Sequence, residues 1–308
     1  MQNFNELRRE AEEAKERLRQ DVLELGDILK RITQESGENG RVVAEESFKK
    51  AEKKLKDAIL QAEDRFEQAL AAVTGYNLSY EDFITRELDI KDFSNIEADC
   101  AMRIEIEQAE RFGVAIWASQ SLQDNISVAK SGNTLKLSLK SQNFSARPIV
   151  TAKIMMPRIN KLRLGGATAA TLMGFKSQNG LDMNLSASST LKVDATAKTI
   201  NCEISGASRL SGNVHAEEAD FVLSGASRVA LNGSAGNLTL SAWGASKAEM
   251  GEFSLRDAVV CLKGASEASI NIQGKLNIDL SSGSRLTYSG SPTINSISVE
   301  GASSLNHK

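Results

Sequence analysis

The feature that most constrains the fold of this chain is a short motif that returns at nearly constant spacing through the second half of the sequence. The tripeptide Gly-Ala-Ser, or a close variant of it, begins at positions 166, 187, 206, 225, 244, 264, 282 and 301. Successive motifs therefore lie 18 to 21 residues apart. This period is too short for the blades of a propeller, which take about 40 residues each. It predicts a coil of strands in which each repeat makes one turn.

The residues that flank each motif repeat as well. A small or aliphatic residue such as Ile204 or Leu223 stands two positions before each motif, and another such as Leu210 or Val229 stands four positions after its start. Each repeat therefore indicates a strand, a corner and a second strand, with these residues facing inward. Aromatic residues make up only 5% of the chain, and stacked repeats can build a core from many small contacts. The predicted fold class is mainly β, a right-handed parallel β-helix with eight regular turns.

The third position of the motif always carries a hydroxyl group. Such a column can bond to the backbone where the corner interrupts the strand ladder, so we predict a structural hydroxyl ladder. The alternative is a regular binding face for carbohydrate or ice. The ladder consists of Thr168, Ser189, Ser208, Ser227, Ser246, Ser266, Ser284 and Ser303.

The position that follows the hydroxyl carries a cation in four of the eight repeats. These residues are Arg209, Arg228, Lys247 and Arg285. Trp243 stands where the two preceding repeats have serine, which favours an exposed indole. Together these five residues form a candidate contact surface for a glycan or an acidic partner. The alternative is a solvated face without a partner.

The first quarter of the chain has a different composition. Residues 1–75 hold 14 Lys or Arg and 17 Asp or Glu residues, and their apolar residues follow steps of three and four. This pattern predicts a charged α-helical hairpin with a coiled-coil-like seam, interrupted by a turn at residues 35–40. We expect it to mediate homo-oligomerisation or docking to a protein partner. The seam residues include Phe4, Leu7, Leu18, Leu25, Ile28, Phe48, Leu55 and Phe66.

The β-helix is expected over residues 84–308. From 84 to 160 the apolar residues alternate with polar ones, as at Met102, Ile104 and Ile106, which predicts a region of less regular strands. The dipeptide Gly132-Asn133 predicts a turn between two of them. The regular turns then run from about 161 to 308.

No constellation of catalytic or metal-binding residues is readable in the sequence. The two histidines, His215 and His307, are far apart, and Cys100, Cys202 and Cys261 are too widely spaced for a thiolate metal site. The net charge of −3 gives no reason to expect nucleic-acid binding. We therefore predict a protein that is not an enzyme and uses no cofactor. Among the functional hypotheses, a cryptic carbohydrate-active enzyme is the least favoured.

The N-terminus has no apolar core of the kind that a signal peptide requires, and no window resembles a membrane span. The sequence therefore favours a cytoplasmic location. An exported or cell-surface protein is the alternative.

The segment from about residue 89 to 303 resembles a known bacterial family. The resemblance rests on Leu-Ser-Gly-Ala-Ser at 223–227, Ile-Ser-Gly-Ala-Ser at 204–208, Asp-Phe-Ser-Asn-Ile at 92–96, and Met-Pro followed by Leu-Arg-Leu within 156–164. These motifs are similar to those of the putative auto-transporter adhesin, head GIN domain family. The resemblance implies a right-handed β-helix, usually exported, without catalytic residues.

These observations lead to one functional prediction and one alternative. The prediction is a non-enzymatic structural or interaction protein, in which a rigid β-helix scaffold carries a helical hairpin for self-association or docking. The alternative is a cell-surface adhesin or glycan-binding module that uses the hydroxyl ladder or the cationic residues.

Overall fold

A computed structural model describes residues 83–140 and 149–308 of the 308-residue chain. The described residues belong to the second of two units into which the chain divides, Asp82–Lys308. The predicted helical hairpin at 1–75, with its coiled-coil-like seam, lies outside the described residues. No helix in the part of the chain that the structure describes is long and apolar enough to cross a membrane.

The described residues form 19 strands and one 3₁₀ turn, Gln120–Asn125. The mainly β architecture predicted from the repeat is confirmed. The strands are β1 Phe83–Leu88, β2 Asn95–Asp99, β3 Arg103–Gln108, β4 Gly113–Ser119, β5 Ile126–Ser131, β6 Thr134–Leu139, β7 Val150–Met156, β8 Lys161–Gly165, β9 Ala169–Lys176, β10 Leu181–Leu185, β11 Thr190–Ile204, β12 Arg209–Leu223, β13 Arg228–Ala242, β14 Lys247–Lys263, β15 Glu267–Ile272, β16 Lys275–Ser281, β17 Arg285–Ser289, β18 Thr293–Val299 and β19 Ser304–His307.

Each turn of the coil consists of a strand segment before the motif corner and another after it. The segments before successive corners stack in parallel, as do the segments after them, so the column has a pre-corner face and a post-corner face. Strands β11 to β14 are long because they continue around the bend between the two faces. The paired residues of β11 and β12 lie 19 positions apart, for example Thr190 and Arg209. The predicted coil of about one turn per repeat is thus confirmed, while its right-handed sense stays a prediction.

The core fills the inside of this column. Along β11, exposed residues alternate with buried ones, because successive side chains of a strand point to opposite faces. The aliphatic residues that flank the motifs, such as Leu210, Leu223 and Val229, are almost fully buried. The aromatic rings of Phe175, Phe221 and Phe253 are also enclosed by the column. The inward positions read from the repeat are therefore confirmed.

The beginning of the column does not follow chain order. Strands β2 and β3 form one turn of the coil. This turn of the coil lies between the one formed by β6 and β7 and the one formed by β8 and β9. The alternating region of the sequence therefore contributes further turns to the same column. The Gly132-Asn133 turn is confirmed, since it joins β5 and β6 as an antiparallel hairpin.

Antiparallel strands and polar side chains cover this first end. Strand β4 pairs antiparallel with both β1 and β7. The guanidinium of Arg86 donates to the carbonyl oxygens of Gln123 and Ile126, each at 3.3 Å. The buried amide of Gln123 in turn donates to the carbonyls of Ile84 and Ala118 at 3.2 and 3.3 Å. These bonds join β1, β4, the 3₁₀ turn and the start of β5 at this end of the column.

The other end of the column is different. Within the described residues, β18 pairs only with β16 and β19 only with β17. The inward-facing side chains of β18 consequently stay open, with Ile294, Ile297 and Val299 exposed to 39%, 56% and 41%.

Candidate contact surface

The corners are tight turns whose geometry explains the composition of the motif. At Gly206 and Ala207 both φ angles are +63°, and the Ser208 amide donates to the Ser205 carbonyl at 3.3 Å. Two consecutive residues with positive φ are typical of a type I′ turn, which favours glycine because it has no Cβ. At Gly225, Gly244 and Gly264 only the glycine has a positive φ.

The hydroxyl groups of the motif lie inside these corners. Those of Ser227, Ser246 and Ser266 donate to the carbonyl three residues earlier at 2.6, 3.0 and 2.5 Å. Ser189 and Ser284 instead donate to a carbonyl of the preceding turn, at 3.3 and 3.1 Å. Seven of the eight predicted ladder residues are buried, and Ser303 in the last turn is half-buried. A buried row of this kind is inaccessible to a large ligand.

The cations that follow the hydroxyls line up on the outer surface of the post-corner face. Arg209 pairs in register with Arg228, which pairs with Lys247. Glu267 occupies the next turn and Arg285 the one after it. Neighbouring positions are therefore about 4.8 Å apart along the column.

Ion pairs divide this row into two parts. The ammonium of Lys247 lies 2.7 Å from the Glu249 carboxylate, and the guanidinium of Arg285 lies 3.2 Å from that of Glu267. By contrast, no carboxylate among residues 83–140 and 149–308 approaches Arg209 or Arg228 within 4 Å. The uncompensated positive charge of the row is thus concentrated at two adjacent arginines.

A trough lies on the same face, at the positions two residues beyond Arg209 and Arg228, and the two arginines adjoin its lining without belonging to it. Its volume is about 430 Å³, and small residues, Ser211, Gly212 and Ala230, line it. Lys192 lies in the turn before Ser211, while Glu249 and Glu252 line the trough two turns beyond Ser211. Lys192 and the trough were not among the features predicted from the sequence. The repeat does contain a signal for them, because the position two residues after the cation row also aligns from one repeat to the next. The residues at this position are Lys192, Ser211, Ala230 and Glu249.

A backbone irregularity shapes one end of the trough. The register between β13 and β14 shifts between Ala230 and Gly233, because β14 has one residue more than β13 in this stretch. Such a bulge bends the strand and redirects its side chains. It places Gly251 and Glu252 at the rim of the trough.

Trp243 lies apart from the trough. Its side chain is 46% exposed at the start of a corner, on the pre-corner side, and it does not line the trough. Its carbonyl accepts the hydrogen bond from Ser246 described above. Of the five predicted contact residues, the structure therefore aligns the four cations in one row of the post-corner face, and Trp243 lies outside that row.

The titratable groups elsewhere are scattered. Burial raises the pKa of the Cys100 thiol to about 12 and also raises that of Cys202. Partial burial raises the pKa of Cys261, and Asp279 at 3.5 Å adds to this effect. The amide of Lys275 and the side chain of Arg256 bond to Asp257 and lower its pKa. In the described ranges, no three or more His, Cys, Asp and Glu side chains gather in a way that could hold a metal ion.

The family comparison agrees with the motif-based resemblance. The model of the family described as "Putative auto-transporter adhesin, head GIN domain" matches residues 92–292. No curated protein matches the chain.

Solved structures with the same fold include a putative adhesin from Parabacteroides distasonis, with 12% identity and a TM-score of 0.69, over 73% of this chain and 97% of that one. A putative adhesin from Parabacteroides merdae has 13% identity and a TM-score of 0.66, over 75% and 98% of the two chains. A putative lipid binding protein from P. distasonis has 17% identity and a TM-score of 0.64, over 74% and 98%. At these identities the likeness concerns the fold alone.

Proposed function

Because the chain belongs to the auto-transporter adhesin, head GIN domain family, we propose that its column is a non-enzymatic adhesive module that binds a glycan through the post-corner face. The rigid stack of parallel turns holds the outward side chains of this face at fixed spacing. Such a surface can recognise an extended partner with little loss of conformational entropy on binding. Neither the family description nor those of the structural relatives name an enzyme.

The observation that carries this proposal is the position of Arg209 and Arg228 beside the trough. Both arginines lack an acidic partner among the described residues, and the lining of the trough next to them includes the small residues Ser211, Gly212 and Ala230. Its volume of about 430 Å³ falls within the range of small-ligand sites, about 300–1,000 Å³.

An adhesive role also bears on location. The cytoplasmic location expected from the sequence finds no support in the family, whose description is that of an adhesin. We propose that the protein acts outside the cell or at its surface.

The proposal is tested by binding of the full chain to an array of neutral and acidic glycans. Ala230→Trp, which fills the trough, is expected to weaken binding at least about 10-fold, since a bulky ring would occupy the ligand volume. Thr239→Trp is the matched control, because Thr239 is exposed on the pre-corner face of the same strand. A silent array, or equal loss with both variants, would contradict the proposal.

A second proposal concerns residues 1–75 and rests on their sequence. We propose that their apolar seam mediates self-association or docking to another protein. The molar mass of the full chain and of a variant without residues 1–75 can be compared by light scattering. An oligomer that becomes a monomer on deletion supports self-association, and an unchanged oligomeric state contradicts it.

A further inference from the structure

We infer that the trough on the post-corner face binds an acidic glycan and holds its carboxylate or sulfate group between Arg209, Arg228 and Lys192; this rests on the function proposed above.

The charges on this part of the face are the first argument. Arg209 and Arg228 are directly opposite each other on neighbouring strands, and like charges in that position repel. Lys192 is the in-register neighbour of Ser211, two positions along the face from the arginine row. Three cations therefore occupy positions that neighbour Ser211 on this face, and the described residues place no carboxylate within 4 Å of either guanidinium. An oxyanion at this point would relieve the repulsion and accept charge-assisted hydrogen bonds from both arginines.

The floor of the trough gives a ligand close access to the backbone. Gly212 has a φ of +137°, and a Cβ at this position would lie 1.9 Å from the Val193 carbonyl oxygen. The position therefore excludes any side chain, and the neighbouring Ser211 and Ala230 are small and exposed. Sugar hydroxyl groups can reach hydrogen-bonding partners here, including the Ser211 hydroxyl and the amide of Asn232.

The distribution of charge along the trough sets the orientation of the ligand. Lys192 and Glu249 lie three turns apart, about 14 Å at the spacing of paired strands. Glu249, already paired with Lys247, and Glu252 make the far end unfavourable for an anion. The acidic group therefore lies at the Lys192 end, and neutral hydroxyl-bearing sugars lie toward Glu249 and Glu252.

The inference is tested by calorimetric titration of the full chain with four probes: sialyllactose, a galacturonate oligomer, a sulfated disaccharide and neutral lactose. We expect one or more acidic probes to bind at least about 10-fold more tightly than lactose, with affinity that falls as salt rises. The double variant Arg209→Gln/Arg228→Gln is expected to lose about 10-fold or more in affinity. Circular dichroism confirms that each variant keeps its strand content.

Arg285→Gln is the matched control, because Arg285 belongs to the same row but is already paired with Glu267. It is expected to change affinity less than about 2-fold, since an exposed paired cation contributes little. Equal loss in both variants would overturn the inference, because it would indicate diffuse attraction to the whole row. A different outcome is that neutral glycans bind, that Ala230→Trp abolishes this binding and that the double variant leaves it intact. This outcome would overturn the inference but support the adhesive role. Absence of binding to every glycan would overturn both.

Discussion

Single residues decide whether each corner can close. A corner turns the chain sharply and leaves a carbonyl that no strand neighbour can reach, so a hydroxyl three residues later bonds to it, as Ser227 does to Ser224. Between the two, either the glycine alone has a positive φ, as at Gly225, or both residues do, as at Gly206 and Ala207. Glycine adopts a positive φ without a Cβ penalty, while alanine pays about 1–2 kcal/mol in the left-handed region. Ala207 nevertheless has a φ of +63°.

The hydroxyl of Ser227 provides the first prediction. Ser227→Ala removes the 2.6 Å bond that the buried Ser227 hydroxyl donates to the partly buried carbonyl of Ser224. We expect it to lower the free energy of unfolding by about 1–2 kcal/mol, measured by urea denaturation. Ser211→Ala is the control, because Ser211 is exposed on strand β12, and it should change stability by less than about 0.5 kcal/mol. Equal effects of the two substitutions would contradict a structural role for the buried hydroxyl.

Glycine 212 provides the second prediction. Gly212→Ala would place a Cβ 1.9 Å from the Val193 carbonyl oxygen at a φ of +137°. We expect a loss of at least about 3 kcal/mol in unfolding free energy, from overpacking combined with backbone strain. Gly174→Ala is the control, because Gly174 also has a positive φ, +72°, but a Cβ added there would meet no atom within 4 Å. We expect this control to lower the free energy of unfolding by about 1–2 kcal/mol. A similar loss in both variants would mean that the close contact at position 212 is unimportant.

At the scale of the strand, a shift of one position decides whether a side chain faces the core or the solvent. Cys202 lies in an inward position of β11 and is fully buried, with Phe221 as its neighbour in the next turn. Cys261 lies in an outward position of β14, next to the buried Val260. Two cysteines on the same face of the column therefore have opposite accessibility, as the two-residue period of a strand requires.

This difference predicts the reactivity of the thiols. Cys100 and Cys202 are buried with raised pKa values, so they present little thiolate and little access to a reagent. We expect a thiol-specific maleimide at pH 8 to label one cysteine, Cys261, in the folded protein and all three after unfolding. Because Asp279 and partial burial raise the pKa of Cys261, its labelling rate should increase with pH. Labelling of more than one site in the folded protein, or of a Cys261→Ser variant, would contradict this assignment.

At the scale of the whole column, the two ends differ in how they are covered. Antiparallel strands and the bonds of Arg86 and Gln123 cover the first end. At the other end, β18 and β19 each pair on one side only among the residues described, and Ile297 is 56% exposed. In a stacked repeat, stability comes from contacts with neighbouring turns, so a turn with one neighbour is less stable than one with two.

Amide hydrogen exchange should reveal this gradient. We expect the amides of β18 and β19 to exchange at least about 10-fold faster than those of β12 and β13, because local opening of an end turn breaks fewer contacts. Mass spectrometry of peptic fragments from the native protein measures both regions in one experiment. Uniform protection along the column would contradict an uncovered end and would indicate that another surface packs against it.

Several features were predictable because each is encoded within one repeat. The inward positions such as Leu210 and Leu223 follow from the two-residue period, and the corners follow from glycine and a hydroxyl at fixed spacing. The cation row was also readable, because a repeat of constant length brings Arg209 and Arg228 into register. The trough was not, because it depends on the small size of Ser211 and Ala230 together with the extra residue in β14.

The sequence alone thus determined the repeating unit: strand, corner, strand, with one hydroxyl at each corner. The reason is that these preferences are local and recur in every turn. The tertiary structure decided which cations remain free, because the pairing of Lys247 with Glu249 and of Arg285 with Glu267 depends on side-chain geometry on adjacent positions of the face. It also decided that the β2–β3 turn lies between β6–β7 and β8–β9. Parallel strands of similar alternation can stack in more than one order, and only the packing of the assembled column selects among them.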